Sequence, residues 1–173
     1  MFGKGLFGKK GQKPPLDDAS ADQLLESVVH GVMPQADADT VAIVAACAGL
    51  LAGVAYADRD FSAAEAQEIE RQLGAIDGIG PGGIQAITQA LELHRVELAS
   101  VHTVRFARTL KELGTRDLRE HVLGMLVALA ATDDTITQAE VNALRQLTSA
   151  LGLEQADYNR LQAEHKQKLG ILR

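Results

Sequence analysis

Six carboxylates stand in two groups whose ends match and whose middle members do not: Asp58, Asp60 and Glu65, then Asp133, Asp134 and Glu140, with Thr135 where the first group has Asp60. In each group the first and last members are seven positions apart, the separation of ligands five and twelve in an EF-hand loop. Calcium takes six to eight hard oxygen ligands, and a carboxylate at the start of a loop plus a glutamate on the next helix supplies part of such a set. Magnesium and manganese accept the same donors. The same stretches have a second use. Ser62-x-x-Glu65 and Thr137-x-x-Glu140 are capping boxes, in which hydroxyl and carboxylate satisfy orphan backbone N–H groups at a helix start. Phe61 and Ile136 precede the caps, where a hydrophobic staple belongs; Val141 completes it in the second copy and Ala66 less well in the first. Such a cap contributes about 1 kcal/mol. Capping accounts for the hydroxyls, the glutamates and the apolar plugs. The four aspartates it covers only loosely, as negative charge near a positive helix end.

Other candidates carry less chemistry. Ile76-Asp77-Gly78-Ile79-Gly80-Pro81 resembles the turn of a helix-hairpin-helix DNA-binding element, with backbone N–H groups to offer a phosphate. Gly82 and Gly83 follow without a lysine or arginine, Asp77 adds the wrong charge, and a glycine C-cap before a proline-led helix explains the same residues. No Gly-Lys-Ser/Thr follows to make a P-loop. His30, His94, His102, His121 and His165 show no His-Glu-x-x-His spacing and read as surface or cap residues. Cys47, between Ala45, Ala46 and Ala48, reads as an inert core residue, and being single it forms no internal disulfide. No nucleophile, base and acid can be assigned from spacing. The expectation is a protein that is not an enzyme.

Helices must position the acidic groups. Alanine (27) and leucine (23) dominate the 173 residues, aromatics are 3% and tryptophan is absent, which favours helix over strand. The pattern predicts helices from Ser20, with Leu24, Leu25, Val28 and Val29 in one stripe, then about Thr40–Ala57, Ser62–Ala75, Ile84–Leu98, Val101–Leu113, Asp117–Ala131, Thr137–Leu151 and Glu154–Lys168. Those at Thr40 and Asp117 are apolar almost all round, as central buried helices are. The fold class is all-α, with seven or eight helices. A 75-residue shift lays Ala55–Glu65 over Ala130–Glu140, Leu50 and Leu51 over Met125 and Leu126, and Ile69 and Ile76 over Leu144 and Leu151. Each unit is a buried helix, an acidic loop and an amphipathic helix. Two such units can pair about a pseudo-twofold axis.

The formal charge of −6 is unevenly spread: Lys4, Lys9, Lys10 and Lys13 give the first 13 residues +4 without an acid, leaving −10 on the rest. An acidic body repels nucleic acid and attracts cations or basic partners. Residues 1–19 read as a flexible basic tail ending near Pro14-Pro15, and residues 20–173 as one domain. Phe2, Leu6 and Phe7 among the lysines suit weak contact with an anionic membrane surface. No run of 18 uninterrupted apolar residues predicts a spanning helix, and the start lacks the apolar core of a secretory signal. A reducing, cytoplasmic setting is expected.

The two loops, together with Gly124–Asp133 running on through Ile136 and Glu140 to Leu151-Gly152-Leu153, resemble the TerB-like family of tellurite-resistance proteins, over roughly Asp37 to Leu161. The resemblance implies an all-helical bundle and a place in bacterial tellurite and general stress resistance. It also implies divalent-metal binding and membrane-linked partners. The same module occurs in a membrane co-chaperone family with a J-domain, but no His-Pro-Asp tripeptide stands in this chain. Two departures bear on metal. Arg59 and Asp134 replace the glycine usual after the first aspartate, and Ser62 and Thr137 replace a frequent second aspartate. Calcium affinity at either loop alone is then expected to be no better than about 10⁻⁴–10⁻³ M.

These observations lead to an expected function: a non-catalytic stress-response module whose acidic loops, Asp58, Asp60, Glu65, Asp133, Asp134 and Glu140, bind Ca²⁺ or another divalent cation, a partner protein, or both, near the inner membrane. The alternatives are a metal-free interaction scaffold and DNA binding through Gly78–Gly83. No nucleic acid partner is expected.

Overall fold

The computed structural model describes residues 20–57, 59, 61–132 and 136–171. Among the described residues eight α-helices follow one another: α1 (Ala21–Val32), α2 (Ala38–Ala55), α3 (Ala63–Gly74), α4 (Pro81–Glu97), α5 (Thr103–Leu113), α6 (Arg116–Ala130), α7 (Gln138–Ala150) and α8 (Gln155–Ile171). Among the described residues there is no strand. The all-α expectation holds. The tail expected over residues 1–19 lies outside the described residues.

α2 and α6 form the centre, as their all-round apolar sequences require. On α2, Val41, Val44, Cys47, Leu50, Leu51 and Val54 are buried; on α6, Val122, Leu123, Leu126, Val127 and Leu129 are. Burying each large aliphatic side chain contributes about 1.5–3 kcal/mol. The two central helices pack together, and each also receives the amphipathic helix of the other unit: α3 on α6, α7 on α2. Each amphipathic helix thus touches both central helices, its own and the other unit's. α2 starts at Ala38 rather than near Thr40 because Asp37 caps it, accepting the Thr40 N–H at 2.7 Å. Over its 18 residues α2 has a mean hydropathy of 1.9, long and apolar enough to cross a membrane. Asp39, Thr40, Gly49 and Gly53 interrupt the apolar run, yet the many valines, leucines and alanines keep the mean high. In the fold, 72% of that helix is buried against its neighbours.

The segment expected as two helices, Ile84–Leu98 and Val101–Leu113, is one continuous run. It starts earlier, at Pro81, and passes through a π-helical turn at Leu98–His102. Pro81 at the first helical position has no N–H to leave unpaired, and its fixed φ suits a helix start, so Gly82 and Gly83 become helical. Gly83 packs against α1, where a Cβ would come within 2.4 Å of Val32 Cγ1. Close approach recurs at the centre. A Cβ on Gly49 of α2 would stand 2.3 Å from Phe106 Cε2 of α5. These two glycines set interhelical distances.

Candidate functional site

Each acidic loop leaves one central helix and enters one amphipathic helix, and the helix entries are built alike. Ser62 donates its backbone N–H to Glu65 Oε2 at 2.9 Å and accepts the Glu65 N–H on Oγ at 3.1 Å. Thr137 does the same with Glu140, at 2.7 Å and 3.2 Å, and also donates its hydroxyl to Oε2 at 2.9 Å. Both predicted capping boxes are therefore formed. Phe61 and Ile136 are partly buried against the core, where the staple places them. The reciprocal bonds pull the two glutamates inward: each is 5% exposed. A carboxylate has two oxygens and about four lone-pair sites, so a cap through Oε2 does not exhaust a glutamate's capacity as an acceptor.

Of the six predicted ligands, only Glu65 and Glu140 are described. Asp58, Asp60, Asp133 and Asp134 lie outside the described residues. Among the described residues no group of three or more His, Cys, Asp and Glu side chains is arranged to hold a metal ion. Arg59, between Asp58 and Asp60 of the first loop, has φ +69°. This is the left-handed region, which costs a side chain with a Cβ about 1–2 kcal/mol and which glycine occupies freely. The backbone thus explains why glycine suits this position. The neighbouring chain is anchored: Arg59 N donates to Tyr56 O at 3.1 Å, and the Arg95 guanidinium lies 5.7 Å from the centre of the Tyr56 ring.

Gly78–Gly83 divides between two structures. Gly78 has φ +91° in the connection after α3, Ile79 is buried, and Gly80 caps α4. Cys47 is buried and free, and burial pushes its thiol pKa up to about 12, so it is no thiolate nucleophile at neutral pH.

Sequence reading missed one polar cluster, which joins the start of α1 to the π-helical turn. Asp22, 1% exposed, pairs with Arg105 and accepts from the Ser20 hydroxyl. His102, read from sequence as a surface or cap residue, is 7% exposed; its Nδ1 lies 3.6 Å from Asp22 Oδ1 and its Nε2 3.1 Å from Glu97 Oε1. Glu97 also accepts the Ala21 N–H at 3.1 Å, capping α1 from 76 residues away. That bond first, and His102 second, hold the Glu97 carboxyl below its ordinary pKa. The cluster depends on contacts across some 80 residues of chain, and no local motif announces it.

Among the described residues the chain is an all-helical bundle in which two capping boxes open two amphipathic helices packed on the central pair. Residues 44–163 match the model of the family described as tellurite resistance protein TerB, and the chain belongs to that family. No curated protein and no solved structure matches it.

Proposed function

We propose that this chain is a non-catalytic module of tellurite-type stress resistance that binds a divalent cation, and through it or beside it a partner protein, at its two acidic loops. The observation that carries the reading is the duplicated placement of Glu65 and Glu140. Two independent stretches of sequence draw a glutamate inward by the same reciprocal cap, at the same distance from a loop that starts with aspartate. A cap alone needs the hydroxyl and the glutamate. It does not need Asp58, Asp60, Asp133 and Asp134, which give each loop the oxygen donors a hard cation takes. Arg59 should make the first loop the weaker site. The basic residues Lys4, Lys9, Lys10 and Lys13 would bring the acidic body to an anionic inner-membrane surface, from the cytoplasmic side.

Calorimetric titration of metal-stripped protein with calcium tests this reading. Saturable binding with a dissociation constant of about 10⁻⁴–10⁻³ M is expected. Absence of heat at millimolar calcium leaves a metal-free scaffold whose loops serve as caps, and the partner would then be sought by its basic charge alone.

A further inference from the structure

The large apolar side chains that stand exposed among the described residues are Leu93 (79%), Val96 (60%), Val104 (63%) and Leu113 (42%), and all belong to α4 and α5. The first three share one face of the continuous α4–α5 rod. With the exposed Gln89, Ser100, Arg108 and Lys111 they make a stripe along it. In a regular α-helix each step of four residues drifts about 40° round the axis. Three such steps, from Val96 through Ser100 and Val104 to Arg108, would wind off the face. The π-helical turn at Leu98–His102 takes up an extra residue and removes the drift. The inward side keeps the same spacing: Leu98, His102, Phe106 and Leu110 are all buried. One face therefore points outward over both helices.

This face is open and its polar groups are sorted. Beside Val96, Ser100 and Val104 the surface falls into a groove of about 670 Å³ with Ala139 and Ala143 of α7 on its far side, so a second helix can come alongside. Ser100, at the middle, is small, and its hydroxyl donates to the Val96 carbonyl at 2.7 Å, which leaves no donor wanting. Glu92 stands on the α4 side of Ser100, Arg108 and Lys111 on the α5 side, and none of the three is in an ion pair among the described residues. The neighbouring charges are engaged: Arg95 over the Tyr56 ring, Glu97 with Ala21 and His102, Arg105 with Asp22. Glu112 lies past the end of the stripe.

The stripe is complementary to itself. A twofold axis at Ser100, with two rods antiparallel, brings residues equally far before and after Ser100 into register. Val96 then meets Val104 of the second copy, Glu92 meets Arg108, and Gln89 meets Lys111, each contact occurring twice. Leu93 falls between Val104 and the aliphatic stem of Arg108. Parallel rods would instead set Glu92 against Glu92 and Arg108 against Arg108. An anionic membrane would attract Arg108 and Lys111 but repel Glu92. We propose that the α4–α5 rod is the contact face of a homodimer, in which two copies pair antiparallel about Ser100 through Leu93, Val96 and Val104, with Glu92 opposite Arg108. The apolar side chains carry the affinity, and the charges select the direction. No carboxylate of the acidic loops takes part, so the dimer is independent of metal there.

The test is sedimentation equilibrium of the full, metal-stripped chain. A monomer–dimer equilibrium is expected, with a dissociation constant of about 10⁻⁵–10⁻⁴ M for an interface at the small end of the usual sizes. Val96→Asn combined with Val104→Asn changes exposed positions, so it should keep the urea midpoint of the dilute chain and abolish the dimer. Glu92→Arg or Arg108→Glu alone should weaken the dimer about tenfold, and the two together should restore it. Under glutathione oxidation Ser100→Cys should form a disulfide across the axis. Gln89→Cys should not, because its two copies would stand about 33 Å apart. Cys47 is buried and does not compete. A chain that stays monomeric up to millimolar concentration, a dimer indifferent to the paired valine substitutions, or a disulfide through Gln89→Cys would overturn the proposal. So would a monomeric chain that binds phosphatidylglycerol vesicles through a contact that Val104→Asn removes.

Discussion

Thr137 and Glu140 hold one another by three hydrogen bonds: the threonine N–H and hydroxyl donate to the glutamate carboxylate at 2.7 and 2.9 Å, and the glutamate N–H donates to the threonine hydroxyl at 3.2 Å. Cap and proposed ligand are therefore the same residue, and a substitution must separate them. Thr137→Ala removes the hydroxyl half of the cap and should cost about 1 kcal/mol in urea unfolding. Glu140→Gln keeps a side chain that completes capping boxes, so its stability should stay within about 0.5 kcal/mol of the parent while calcium affinity falls. Equal calcium binding by the parent and Glu140→Gln would remove Glu140 from the ligand set.

Arg59 pays for its left-handed backbone and places a cation beside the first loop. Arg59→Gly should stabilise by about 1 kcal/mol, less the extra entropy a glycine gives the unfolded chain. It should also tighten calcium binding at the first loop. Unfolding midpoints and titrations of the same two proteins check both effects. A destabilised variant would show that the Arg59 side chain makes contacts that outweigh the strain.

At the centre of the fold, Gly49 lets Phe106 lie directly on α2. Gly49→Ala should lose about 1–3 kcal/mol, since a ring packed between buried helices cannot retreat without opening a void. Adding Phe106→Leu should recover part of that loss, and a double-mutant cycle reads the coupling.

Acid should weaken the fold through carboxylates whose pKa is lowered on folding. Glu97 is held down by the Ala21 N–H and His102, and Asp157 by the Glu154 N–H and then Arg116 and Arg160. A lowered folded-state pKa means that the unfolded chain takes up protons first. The contribution is complete above the ordinary carboxylate values of about 3.9–4.3 and is lost as pH falls through the lowered ones. Glu97→Gln should flatten that part of the profile of urea midpoint against pH between about 5 and 2.5. An unchanged slope would show that the α1 bond contributes little.

Much of this was legible locally. Two buried helices could be read from their all-round apolar composition, and both capping boxes from a hydroxyl three residues before a glutamate, because capping is decided within one turn. The continuity of α4 into α5 was not, because the π-helical turn accompanies the burial of His102 against Asp22, a residue far away in sequence. Of the six candidate residues the structure describes two: Glu65 and Glu140 complete the expected capping boxes, and the four aspartates lie outside the described residues.

A cation at the acidic loops can be located with manganese. Added substoichiometrically to the metal-stripped, isotope-labelled chain, Mn²⁺ should broaden the amide signals of Glu65 and Glu140 and of the residues beside them before any others. Calcium in excess should restore them, and Glu140→Gln should spare the second loop selectively. Broadening that is uniform over the acidic surface, or that centres elsewhere, would show that no cation is held there and leave both loops as helix caps.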